Sequence, residues 1–109
     1  MHIDFLYFED CPSHDVALAR LREVLAEEQV TAAITVIKVE TEQEAVANRF
    51  VGSPTIRIEG EDIDPPPADM PYVLACRAYR RPDDGRITPL PTASVIRKAV
   101  RAHKKETSP

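Results

Sequence analysis

The sequence is short of the features that would take it into a membrane or onto a nucleic acid. No apolar run approaches the roughly 20 residues that cross a bilayer. The start, Met1-His2-Ile3-Asp4, has neither the basic stretch nor the small-residue cleavage site of a secretory leader. Positive charge is not in excess: 14 Lys and Arg against 18 Asp and Glu leave a formal charge of -4. That argues against nucleic acid or an anionic membrane as the main partner. Cysteine is scarce, two in 109 residues, too few for a disulfide scaffold. There is no internal repeat, and low complexity ends with one proline triplet. The expectation is a cytoplasmic chain, where thiols are kept reduced. Two cysteines there are more readily catalytic, metal-binding or buried than a structural staple.

What is present reads as one globular domain, 43% hydrophobic and 29% charged. The domain is expected over 1–103, with 104–109 a frayed tail. Ile3 to Phe8 is apolar and aromatic apart from Asp4, and predicts a buried strand. From Ser13 the period changes: Val16, Leu18, Leu21, Val24 and Leu25 recur at three and four, an amphipathic helix. Pro12 suits its first turn. The β-branched run Ala33 to Val39 predicts a second strand. Thr41 to Glu44 has capping-box spacing and opens a short helix through Ala45, Val46 and Phe50, which Gly52 ends. Ser53-Pro54 precedes a third strand, Thr55 to Glu59, and Gly60 marks a turn into a brief return strand at Asp62-Ile63-Asp64.

Residues 65–71 hold four of the ten prolines and cannot be regular structure. Tyr72 to Arg81 reads as a further strand, with Pro82 to Gly85 turning toward Ile87. Thr92 or Ser94 can cap a last helix with Val95, Ile96, Ala99 and Val100 on one face. Its Arg97, Lys98, Arg101, Lys104 and Lys105 suit the negative end of that helix. The order β-α-β-α-β-β-α implies an α/β fold with a central mixed sheet flanked by helices, its first two strands parallel through a right-handed crossover.

That order, with Cys11-Pro12 after the first strand and Ser53-Pro54-Thr55 before the third, resembles the thioredoxin and glutaredoxin superfamily. More narrowly it resembles small bacterial thioredoxin-like proteins, some with selenocysteine at the position of Cys11 and some labelled alkylmercury lyase. The resemblance implies a thioredoxin-like fold, an active site at Cys11 and a cis peptide bond at Pro54. On that reading the first and third strands are parallel neighbours and Pro54 lies beside the Cys11 loop. The chain departs from the pattern at His14, which stands where thioredoxins carry the second cysteine, so dithiol chemistry through a Cys-x-x-Cys is excluded.

Cys11 sits between a strand end and a helix start, where unpaired N–H groups and the helix dipole favour a thiolate. His14, one turn on, could stabilise that thiolate or take its proton. Glu9 and Asp10 oppose it; the alternative is an inert buried thiol. Cys76 has two readings. If Tyr72 to Tyr79 is the fourth strand of the sheet, Cys76 lies about 9–10 Å from the first strand, too far to bridge. If the Asp62 to Asp64 segment is the return strand, Cys76 comes back to Cys11 and can resolve it. Pro12, Ser53, Pro54 and Arg77 are the expected substrate-binding residues, Arg77 through a basic stretch shared with Arg80 and Arg81.

A metal site would need Cys11, His14 and Cys76 to converge with His2 or His103, and only Cys11-x-x-His14 has useful spacing, so neither metal nor cofactor is expected. The reading is a thiol-dependent redox protein acting on a disulfide or a small electrophile. Organomercurial or soft-metal chemistry and a non-enzymatic binding module are the alternatives. No oligomeric state follows from the sequence.

Overall fold

The computed structural model describes residues 1–11, 13–77, 79, 80 and 84–107. The first strand, His2–Tyr7 (β1), sends Ile3 and Phe5 to one face and Leu6 to the other, because side chains alternate along a strand. Both faces are covered. The helix His14–Glu27 (α1) lays Ala17, Leu21, Val24 and Leu25 on the first face. Val16, expected on that stripe, is instead exposed at 49%: it precedes the 17-21-24-25 row by one position and so is turned about 100° away.

The second strand, Ala33–Lys38 (β2), pairs parallel with β1, Ile3 opposite Ile34. In the short helix Glu42–Ala47 (α2), the Thr41 hydroxyl accepts from the Glu44 N–H at 3.0 Å, and the Glu44 carboxylate accepts from the Glu40 N–H at 2.9 Å. The chain leaves α2 through Arg49 at φ 53, so the helix stops well before Gly52. Ala45 and Phe50 pack with Leu6 and Val39 as a second core under α2.

The third strand, Thr55–Ile58 (β3), runs antiparallel to β1, with Leu6 opposite Thr55 and Ile3 opposite Ile58. This corrects the parallel pairing expected from the sequence. A six-residue helix rises only about 9 Å, less than half the length of a six-residue strand. The chain therefore enters β3 at the end where β1 and β2 finish. The return strand Glu61–Asp62 (β4) closes an open mixed sheet of order β2-β1-β3-β4. Residues 72–77 are not a fourth strand of this sheet. Beyond them, Tyr79–Arg80 (β5) and Ile87–Thr88 (β6) form a separate antiparallel pair.

The last helix, Ala93–Thr107 (α3), starts where the Thr92 hydroxyl accepts from the Val95 N–H at 3.2 Å. Its Ile96 and Val100 complete the main core with Ile56, Ile58 and α1. Burying a side chain of this size is worth about 1.5–3 kcal/mol. Arg97 and Arg101 pair with Glu27 and Glu28 of α1. Among the described residues no helix is long and apolar enough to cross a membrane. Pro12, Arg81 and the Pro82-Asp83 part of the expected turn lie outside the described residues.

Candidate functional site

Cys11 ends a tight turn that leaves β1: its N–H donates to the Phe8 carbonyl at 3.0 Å, and α1 begins three residues later. The turn is tied to the third strand's approach by the Phe8 N–H, which donates to the Ser53 hydroxyl at 2.9 Å. Antiparallel pairing of β1 and β3 is what brings Ser53 here, since the end of one strand abuts the start of the other. Ser53–Pro54 is cis. The Cys11 side chain is fully buried, with Sγ 3.5 Å from the Ser53 carbonyl oxygen.

Chain from the proline-rich loop then comes back over this point. Val73 N–H donates to the Phe50 carbonyl at 3.0 Å, Ser53 N–H to Ala75 at 2.7 Å, and Arg77 N–H to Ser53 at 2.8 Å. The result is an isolated parallel bridge between Ser53 and Cys76. It sets the Cys76 Sγ 2.8 Å from the Cys11 Sγ, with the Cys76 thiol donating. Of the two arrangements open to the sequence, the one that returns Cys76 to Cys11 is observed. That hydrogen bond, followed by burial, pushes the Cys76 thiol up to about 11. Cys11 is buried, whereas Cys76 is exposed.

Arg77 is not directed at solvent. Its side chain is 5% exposed and forks onto Asp62 of β4 at 2.7 and 2.9 Å, the bidentate geometry that makes such pairs strong. It also donates to the Asp64 carbonyl and lies 4.5 Å over the Tyr79 ring. Tyr79 in turn donates its hydroxyl to the Pro54 carbonyl at 2.6 Å. The guanidinium is thus an internal strut beside Cys76, which corrects its assignment to a substrate anion.

His14 is tied to the backbone of Cys11. Its Nδ1 lies 2.8 Å from the Cys11 carbonyl oxygen and must donate, because a carbonyl only accepts. The ring stacks on Tyr7 with centroids 4.6 Å apart. It therefore holds the Cys11 backbone through Nδ1, while Nε2 lies 3.3 Å from the Asp15 carboxylate, so both ring nitrogens are engaged by oxygen. Glu9 is 2.7 Å from Lys38, whose hydrogen bond holds the Glu9 carboxyl below its usual range and offsets its charge near Cys11.

The structure thus brings together Cys11, Cys76, Ser53 and Pro54, with Arg77 bound to Asp62 and His14 bound to the Cys11 carbonyl. Every polar group of Ser53 has an internal partner, so its backbone serves the Cys76 segment. The sequence reading gives Asp62 and Tyr79 only strand positions, and Gly52 only a helix stop ahead of the Ser53-Pro54-Thr55 motif. Only Gly52 carried a signal, a glycine directly before Ser-Pro. Among the described residues no three of His, Cys, Asp and Glu converge on a common point. His103 faces Glu61 at 3.3 Å and His2 faces Asp4 at 2.9 Å. The sulfurs also sit closer than the roughly 3.8 Å that two thiolates on a tetrahedral zinc require. The residues as placed do not fit a closed metal site. Comparison with protein-family models, with curated proteins and with solved structures finds no match to this chain.

Proposed function

We propose that this chain has a thioredoxin-like fold and acts as a thiol-dependent redox protein in which Cys11 and Cys76 cycle between dithiol and disulfide. The observation that carries the reading is the 2.8 Å approach of two sulfurs 65 residues apart in sequence. A disulfide needs about 2.05 Å, so less than an ångström of closure makes the bond. The strand order β2-β1-β3-β4, Cys11 at the end of β1 and the cis Ser53–Pro54 bond support the fold assignment. In each cycle the two thiols lose two protons and two electrons to a disulfide, which leaves as two thiols. A cytoplasmic thiol pool would restore the pair.

The test is oxidation of the folded chain with a disulfide reagent, followed by intact mass and peptide mapping. A Cys11–Cys76 crosslink with loss of two hydrogens is expected. It should stabilise the chain by up to about 4 kcal/mol, the chain-entropy value for a loop of this length. Absence of the crosslink, with both thiols unreactive in the folded chain, would return the protein to a binding module. Tight mercuric ion binding that is lost in Cys11→Ser and in Cys76→Ser, without reversible oxidation, would favour the soft-metal alternative.

A further inference from the structure

Roles for the two thiols follow from access, and they are the reverse of those expected from the sequence. Cys11 is sealed: none of its surface meets solvent, and the 75–77 segment lies over it. An electrophile cannot reach its sulfur while that bridge is in place. Cys76 opens instead onto a groove of about 560 Å³, within the size range of small-molecule sites. Its apolar wall is Val51, Pro65, Met70 and Val73. An adjoining depression of about 290 Å³ shares Val51 and Met70 and adds Arg49 and Arg57. Neither of these arginines has a carboxylate at ion-pair distance among the described residues, and Arg57 donates only to the Asn48 and Arg49 carbonyls. The acidic groups on these walls are Asp62 and Asp64. Asp62 is spent on Arg77, and Asp64 also lies in the field of Arg77. With Arg77 and Asp62 cancelling each other, Arg49 and Arg57 face Asp64 alone, a locally positive site on a chain of net charge -4.

We infer that Cys76 is the thiol that attacks substrate, that Cys11 is the resolving thiol, and that the groove takes a small disulfide with an apolar body and an anionic group. This rests on the redox reading above. In the first step the exposed Cys76 thiol gives its proton to solvent and its sulfur attacks one substrate sulfur. The substrate S–S bond breaks and one half leaves as a thiolate. In the second step the Cys11 sulfur attacks the Cys76 sulfur of the mixed disulfide, releases the other half, and gives up its proton. The protein pair is oxidised by two electrons, the substrate disulfide is reduced to two thiols, and two protons follow them.

The experiment is the stopped-flow reaction of the folded full chain with dithiobis(nitrobenzoate), which is aromatic and anionic, and with cationic cystamine. Each rate is divided by that of the same variant unfolded in guanidinium. Cys11→Ser is expected to form a stable mixed disulfide on Cys76, and Cys76→Ser to react more than about tenfold more slowly, through opening of the 75–77 segment. A faster adduct on Cys11 in Cys76→Ser would overturn the assignment. If the wild-type chain still forms the Cys11–Cys76 crosslink, the redox reading survives that failure. Arg49→Gln, on the wall of the adjoining depression, should slow the anionic reagent several-fold and leave cystamine unchanged. Equal effects on both reagents would overturn the charge preference. Circular dichroism of each variant keeps loss of fold apart from loss of reactivity.

Discussion

Gly52 lies so close to Arg77 that a Cβ added there would sit 2.7 Å from the Arg77 Cα. The contact is backbone against backbone, so no side-chain rotation relieves it, and Gly52 also has φ 139, where other residues are strained. This glycine is what allows the 75–77 segment to settle on Ser53. Gly52→Ala should therefore lift the segment and draw Cys76 away from Cys11. The expected cost is about 1–3 kcal/mol of stability by overpacking, with a slower Cys11–Cys76 crosslink. Urea unfolding and oxidation kinetics on the same variant check both. An unchanged crosslinking rate would mean that the segment's approach does not depend on this contact.

The Arg77–Asp62 pair fixes the same segment from its other side. With side chains 5% and 11% exposed, the pair has lost most of its hydration. Removing one partner strands the other charge, which typically costs about 3–5 kcal/mol. Asp62→Leu alone should be strongly destabilising, and Arg77→Met with Asp62→Leu should recover a good part of the loss. Denaturation of the two singles and the double gives the coupling. Because Arg77 follows Cys76 directly, the dithiol potential should shift in the double variant even where stability is recovered, whereas a strut with no bearing on Cys76 would leave the potential unchanged.

His14→Phe separates positioning from acid–base chemistry. The aromatic ring keeps the stack on Tyr7, while the bond from Nδ1 to the Cys11 carbonyl is lost. A single hydrogen bond of this kind is worth about 0.5–1.5 kcal/mol, and the exposed contact with Asp15 adds little. Stability should fall by about that amount. The alkylation rate of Cys76 should stay within about twofold of wild type. A larger drop that tracks the imidazole titration would show His14 acting on the sulfur pair.

How far the sequence could be read depended on whether the causes were local. Ile3 to Phe8, the α1 stripe and the Thr41 cap are set by period and capping chemistry, and all appear close to their expected places. The direction of β3 is not local. It follows from how far a short helix can carry the chain, and reading the third strand as parallel missed this. The return of Cys76 was legible only as one of two arrangements, because residues 65–71 have no period to place them. The stack of His14 on Tyr7 reaches seven residues back to another element, and the burial of Arg77 depends on Asp62. Neither partner is signalled by spacing.

Alkaline pH supplies a test that reads the sulfur pair without a substrate. The hydrogen bond to Cys11, then burial, raise Cys76 from 9.0 to about 11. Burial likewise holds the Tyr79 phenol well above its usual range. The folded chain therefore keeps both protons at pH values where the unfolded chain has released them. The stability they contribute is complete below pH 9; the Cys76 part is lost as pH climbs through about 11, and the Tyr79 part only at higher pH. In urea titrations of the reduced protein, the midpoint should fall steadily over this window. In the disulfide form the Cys76 part of the fall should be absent, because the oxidised sulfurs no longer titrate, while the Tyr79 and Lys38 parts remain. Thiolate absorbance should show a step near pH 11 that is absent from Cys76→Ser. In Cys11→Phe, which deletes the acceptor without supplying another, that step should move down toward 9.0. A step that stays near 11 there would assign the shift to burial of Cys76 rather than to its bond with Cys11.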